Sequence, residues 1–81
     1  MTPIYSKQAA KYINGLNATS QQRIRQGISK IPDGDIKPLK GMPGNYRLRI
    51  GDWRVLFDYA DGNIVRIKKI SPRGQAYKGV K

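Results

Sequence analysis

Three arginines, Arg47, Arg49 and Arg54, fall within one short stretch, YRLRIGDWRVLF, whose remaining residues are largely apolar. A guanidinium carries a permanent charge and a planar fork of donors that fits phosphate oxygens in pairs, so a group of them is equipped to hold a phosphate. The same permanence bars arginine from acting as a general base. Other catalytic groups are scarce. The 81 residues include no histidine, no cysteine and no glutamate, and all 5 acidic residues are aspartates. Disulfides, thiolate nucleophiles and thiolate metal sites are thereby excluded, together with the usual general base of hydrolases and most carboxylate dyads.

The overall charge points the same way. Lys and Arg number 16, the formal net charge is +11 and the isoelectric point is near 10.4. Residues 1–35 carry five basic and two acidic side chains, whereas residues 36–81 carry eleven and three. Such an excess suits a nucleic acid, an acidic protein or an anionic membrane surface. A hydrophobic fraction of 38% is compatible with folding. The length implies one domain, 1–81, whose small core invites a stabilising partner. The longest apolar runs are only a few residues, too short to span a membrane. Residues 1–16 lack the apolar centre of a secretory signal. The expectation is a cytoplasmic protein that does not engage membranes.

Positioning the arginines requires strands. From Tyr46 the pattern becomes period two: YRLRI, Gly51-Asp52, WRVLFDY, Asp61-Gly62, IVRIKKI. Gly-Asp suits a type II′ turn and Asp-Gly a type I′ turn, so two hairpins form an antiparallel meander. The first turn pairs Ile50 with Trp53, Arg49 with Arg54, Leu48 with Val55 and Arg47 with Leu56. A two-residue second turn pairs Tyr59 with Ile64, Phe57 with Arg66, Arg54 with Lys69 and Trp53 with Ile70. One face then carries Tyr46, Leu48, Ile50, Trp53, Val55, Phe57, Tyr59, Ile64 and Ile70, and the other carries Arg47, Arg49, Arg54 and Lys69. The row Arg49, Arg54, Lys69 sets like charges opposite one another, which destabilises a sheet and calls for a bound polyanion. This register also puts Arg66 and Lys68 on the apolar face. The alternative is a three-residue loop through Asn63, or a bulge. It returns Val65 and Ile67 to the core face, sets Arg66 opposite Asp58 and moves Lys69 off the row.

Ahead of the meander, two short helices are expected. Ser6 suits an N-cap with Ala9, Ile13 and Leu16 along one face, and Gly15 suits an αL cap. Thr19-Ser20-Gln21-Gln22 fits a capping box, followed by an apolar stripe of Ile24, Ile28 and Ile31 that Pro32-Asp33-Gly34 ends. Residues 35–44, rich in Gly and Pro, read as a flexible loop. The fold class is therefore α+β, an N-terminal helical hairpin packed on a twisted antiparallel sheet. Tyr5, Tyr12, Tyr46, Trp53, Phe57 and Tyr59 are expected in the core or against a partner protein.

The run from Leu39 to Lys78 resembles the RelE/ParE superfamily of toxins from bacterial type II toxin–antitoxin modules. The segment YRLRIGDWRVLF, the hydrophobic third strand, and the ending ISPRGQAYK, with Arg73 four residues before Tyr77, carry the likeness. Weaker likeness extends over the helices. The resemblance implies the RelE-like α+β fold and a cognate antitoxin whose C-terminal segment wraps the toxin. Operator DNA would be bound only through the antitoxin complex.

On the RelE side, which the Arg73…Tyr77 pairing resembles, members are ribosome-dependent endoribonucleases that cut mRNA in the ribosomal A site. On the ParE side, members share the fold and poison DNA gyrase. The nuclease reaction uses the ribose 2′-OH as nucleophile and needs no metal or other cofactor. By resemblance, Arg47 and Arg49 match a basic pair on the first long strand, and Arg54 the arginine that contacts the scissile phosphate. Arg73 matches the arginine serving the leaving 5′-oxygen, and Tyr77 a tyrosine that stacks on a base or orients the 2′-OH. Lys37, Lys40, Lys69 and Lys78 are candidate RNA contacts; Lys37, Lys40, Lys78 and Lys81 read equally as solvated charge. Some members carry lysine where Arg49 stands, so the general base is left open among Tyr77, Asp52, Asp58 and a ribosomal group. Asp52 reads best as a turn residue and Asp58 as a strand-pair residue.

Overall fold

Ser6 is where strand becomes helix. In the computed structural model, which describes residues 1–72, the strand Thr2–Tyr5 (β1) runs into the helix Lys7–Asn14 (α1). Ser6 Oγ accepts from Ala9 N at 3.1 Å, as an N-cap does, and also donates to Lys68 O at 2.8 Å. The second helix, Ala18–Ser29 (α2), is capped by Asn17, whose Oδ1 accepts from Ser20 N at 2.8 Å. The capping box expected at Thr19 does not form, because the helix begins two residues earlier and Asn17, as its N-cap, takes the Ser20 amide. Gly15 is likewise right-handed, with φ −82°, rather than an αL cap; it ends α1 by donating to Lys11 O and Tyr12 O.

The remaining strands are Asp35–Pro38 (β2), Asn45–Ile50 (β3), Trp53–Ala60 (β4) and Ile64–Pro72 (β5), in the sheet order β1-β5-β4-β3-β2. The β2–β5 portion is antiparallel throughout, and β1 joins the edge parallel to β5. The α+β class and the helical hairpin on a sheet hold, with two additions. Residues 35–38 are strand rather than loop, and β1 makes the sheet mixed. Both elements have only four residues, too few for a periodic signal, and both depend on partners far along the chain.

One face of the sheet meets the helices. Ile13, Ile24, Leu48, Val55, Phe57, Val65, Ile67 and Ile70 are fully buried there, with Ala9, Ile28 and Ile31 beside them. Burying a side chain of this size is worth about 1.5–3 kcal/mol, so this layer is the main source of stability. Tyr46 stacks on Phe57 with ring centroids 5.7 Å apart, and Tyr59 meets both edge-on at 5.2 and 5.5 Å. Tyr5, Tyr12 and Trp53 pack half-buried against the same core. The aromatic residues therefore belong to the core layer, as expected, with Tyr59 at its margin. Helix α2 comes so near the sheet that a Cβ on Gly27 would lie 2.6 Å from Ile50 Cδ1, which explains glycine in mid-helix. Beyond the end of β1, Gln8 takes over the strand's role: its amide donates to Ile70 O at 3.3 Å and accepts from Ile70 N at 3.2 Å.

The first hairpin has the expected register, Ile50 opposite Trp53 through Arg47 opposite Leu56, with Gly51 at φ +56° as a turn of this kind requires. The two-residue register of the second hairpin does not occur. Its loop has three residues, Asp61 to Asn63, with Gly62 and Asn63 both at positive φ (73° and 68°). Ala60 therefore faces Ile64, Tyr59 faces Val65, Asp58 faces Arg66 and Phe57 faces Ile67. A bulge follows between Leu56 and Phe57, giving Leu56 opposite Lys69, Val55 opposite Ile70, Arg54 opposite Ser71 and Trp53 opposite Pro72. Val65 and Ile67, rather than Ile64, complete the core. An inward Arg66 would be buried and unpaired, a cost this register removes.

Candidate functional site

Among the described residues no helix covers the opposite face of the sheet, and the strand registers arrange its side chains in rows. One row runs Asp35, Arg49, Arg54, Ser71; the next runs Lys37, Arg47, Leu56, Lys69; a third joins Asn45, Asp58 and Arg66. Because of the bulge, Lys68 and Lys69 are both exposed on successive positions of β5.

These cations are not equivalent. Arg66 grips Asp58 through two short hydrogen bonds, Nε to Oδ1 at 2.8 Å and Nη2 to Oδ2 at 2.7 Å. Lys68 Nζ lies 3.7 Å from Asp58 Oδ2 and donates to Asn45 Oδ1 at 2.6 Å. The hydrogen bonds from Arg66 hold the Asp58 carboxyl below its usual range against an opposing contribution from burial, and the charges of Arg66 and Lys68 act with them. Arg47 is mostly covered, its side chain 12% exposed, and lies 3.5 Å from both the carboxylate and the carbonyl of Asp35. Among the described residues, Arg54 donates only to the main-chain carbonyls of Trp53 and Gly51, at 3.3 and 3.5 Å. Arg49, directly opposite Arg54, is exposed and has no side-chain hydrogen bond or ion pair among the described residues.

The structure thus brings Arg47, Arg49 and Arg54 together on one open face, with Lys37 opposite Arg47. Lys69 shares this face but stands opposite Leu56, so the expected Arg54–Lys69 pairing is replaced by Arg54–Ser71. Lys40 is exposed after β2, outside the rows. Arg73, Tyr77, Lys78 and Lys81 lie outside the described residues. Asp35, Arg66 and Lys68 also belong to the face and were not among the site residues expected from sequence. The three-residue loop, with its Asp58–Arg66 pairing, was the signal for two of them. Asp58 is committed to Arg66, in keeping with a strand-pair residue, and Asp52 is exposed in the first turn. Among the described residues no group of three or more potential metal ligands occurs. No described helix is long and apolar enough to cross a membrane.

Comparison with known proteins agrees with this architecture. Among solved structures, a RelB–RelE antitoxin–toxin complex from Methanococcus jannaschii matches with TM-score 0.72 at 20% identity, over 96% of this chain and 99% of that one. An archaeal RelE–RelB complex from Pyrococcus horikoshii OT3 gives 0.70 at 27% identity, over 93% and 97%. The toxin–antitoxin complex RelBE2 from Mycobacterium tuberculosis gives 0.73 at 22% identity, over 89% and 96%. No curated protein sequence matches. The model of the family described as "ParE toxin of type II toxin-antitoxin system, parDE" matches residues 4–77. The resemblance read from YRLRIGDWRVLF and ISPRGQAYK is borne out at the level of the superfamily. The chain belongs to the ParE toxin family of type II toxin–antitoxin systems.

Proposed function

We propose that this toxin is an endoribonuclease that cleaves mRNA on the ribosome, with Arg47, Arg49 and Arg54 as its phosphate site. The observation that carries the reading is the direct opposition of Arg49 and Arg54 on an open face, with no carboxylate paired to either among the described residues. The fold gains nothing from two like charges so placed, whereas a phosphate chain would bind them both. In cleavage by the ribose 2′-OH, the attacked phosphorus passes through a dianionic phosphorane. Guanidinium groups fixed on adjacent strands hold the scissile phosphate in line and stabilise that charge. They do not take the proton from the 2′-OH. Asp58 is unsuited as well, because Arg66 occupies both its oxygens and lowers its affinity for a proton. The base is assigned to Tyr77 or a ribosomal group, and Arg73 serves the leaving 5′-oxygen. Lys37 and Lys69 flank the arginines on the same face and track the RNA backbone, and Lys40 and Lys78 are further RNA contacts.

A second reading, inhibition of DNA gyrase, is favoured by the ParE description of the matching family. Mapping of 5′ mRNA ends in translating cells separates the two. The nuclease reading expects new ends within codons that vanish with Arg54→Ala and fall sharply with Tyr77→Phe. Growth arrest accompanied by DNA damage, with unchanged mRNA ends and full toxicity of Tyr77→Phe, would establish the gyrase reading instead. The cognate antitoxin is proposed to neutralise the toxin under either reading, and the complex to reach operator DNA through the antitoxin.

A further inference from the structure

Two polar side chains are buried among the described residues, and the sheet treats them in opposite ways. Asp58 is gripped by Arg66. Ser71, only 7% exposed, ends the row Asp35, Arg49, Arg54, Ser71, and its Oγ has no hydrogen-bond partner among the described residues. A hydroxyl shut off from water and left unpartnered destabilises a fold, whereas alanine of nearly the same size would not. Such a group calls for an explanation beyond packing. The residue across the strand supplies one. Val55 and Ile70 oppose each other in the core, so the next pair, Arg54 and Ser71, puts both side chains on the open face. Directly opposed positions set their Cβ atoms about 4.5–5.5 Å apart, well within an arginine's reach. Arg54 instead turns back along its own strand, where Nη1 donates to Trp53 O at 3.3 Å and to Gly51 O at 3.5 Å. Both exceed the usual range of about 2.7–3.2 Å, so neither holds the guanidinium firmly. Because Ser71 Oγ is fully covered, it is out of a nucleotide's reach but not out of the opposed side chain's.

We propose that Ser71 is a positioning residue for Arg54. When a phosphate draws the guanidinium off the Trp53 and Gly51 carbonyls, the side chain crosses toward β5 and Ser71 Oγ accepts one of its N–H groups. The remaining donors stay free for two phosphate oxygens, as a guanidinium with five N–H groups allows. Phosphate binding thereby completes a hydrogen bond that the toxin alone leaves unmade, and it fixes the arginine where charge develops. The proposal deepens the nuclease reading and rests on its assignment of Arg54 to the scissile phosphate.

A double-mutant cycle tests it: wild type, Ser71→Ala, Arg54→Ala and the double variant, each assayed for mRNA cleavage across a range of ribosome concentrations and for melting temperature. Ser71→Ala is expected to slow cleavage at saturating ribosomes about 10- to 100-fold, the range for one hydrogen bond to a charged group. The half-saturating ribosome concentration should not move, because the contact matters to the transition state. The melting temperature should hold or rise, since the unpartnered hydroxyl is gone. In the Arg54→Ala background Ser71→Ala should have no further effect, as no guanidinium remains to be positioned. An equal loss in both backgrounds, a lower melting temperature, or full cleavage by Ser71→Ala beside a crippled Arg54→Ala would overturn the proposal alone. Full cleavage by Arg54→Ala, or none by wild type, would instead sink the reading on which it rests, and the proposal with it.

Discussion

Two halves of one sheet face use the same residue types to opposite effect. In one half, Arg66 holds Asp58 through hydrogen bonds of 2.8 and 2.7 Å, and Lys68 lies 3.7 Å from the same carboxylate while donating to Asn45 Oδ1 at 2.6 Å. In the other, Arg49 and Arg54 oppose each other across β3 and β4, and among the described residues no carboxylate pairs with either. Arg47 is intermediate, near Asp35 at 3.5 Å. The contrast separates cations that serve the fold from those to which the proposed function assigns a ligand. A bidentate pair satisfies its guanidinium internally and fixes the second hairpin. An unpaired, opposed pair retains both its donors and its repulsion until a polyanion supplies the missing charge.

The largest expected effect comes from breaking the unpaired half. Arg54→Ala is predicted to lower mRNA cleavage by about 10²–10³-fold, the usual consequence of losing one contact to transition-state charge. Relief of repulsion leaves its stability unchanged or raised by up to about 1 kcal/mol. Cleavage assays on translating ribosomes, paired with thermal denaturation, check both parts.

Next in size is a change of stability in the paired half. Asp58 has its folded-state pKa depressed below the ordinary 3.8, so its ionised form stabilises the fold. That contribution is fully present above the unfolded-chain value and is lost as pH falls through the lower folded value. Asp58→Asn should therefore melt several degrees below wild type at neutral pH, and the two curves should converge in strong acid. Melting temperatures that stay apart in acid would remove the charge from the explanation.

A smaller and sharper effect is electrostatic. Arg49→Ala should reduce the slope of log affinity against log salt for a single-stranded RNA by about 0.7, the value for one phosphate contact. Arg66→Ala should leave that slope almost unchanged. Smallest of all, Asp35→Asn frees Arg47 from its partner and should tighten RNA binding slightly, within the 0–1 kcal/mol typical of exposed ion pairs.

The sequence made the first hairpin fully legible because a two-residue Gly-Asp turn leaves one register, and that register alone placed Arg47, Arg49 and Arg54 together. The second hairpin was ambiguous for a local reason: Asn63 tolerates the left-handed conformation that makes a three-residue loop, and nothing within Asp61-Gly62-Asn63 decides the matter. The tertiary consequence decides it, since only the longer loop takes Arg66 out of the core and onto Asp58. Strands β1 and β2 were illegible because their stability lies in pairings with β5 and β3. Ser6 could be read as a cap, yet its second bond, to Lys68 O, spans 62 positions and leaves no local trace. The cations were visible from the start, but their division into paired and unpaired sets depended on the three-dimensional neighbours.

That division is tested most directly by comparing two sets of charge-neutralised toxins for growth arrest and melting temperature. Replacing both unpaired arginines, Arg49→Gln with Arg54→Gln, should abolish growth arrest while the melting temperature holds or rises. Replacing the paired Arg66→Gln should lower the melting temperature while growth arrest persists. The reverse pattern, a stable and harmless Arg66→Gln toxin beside an unstable but still toxic double variant, would contradict the account.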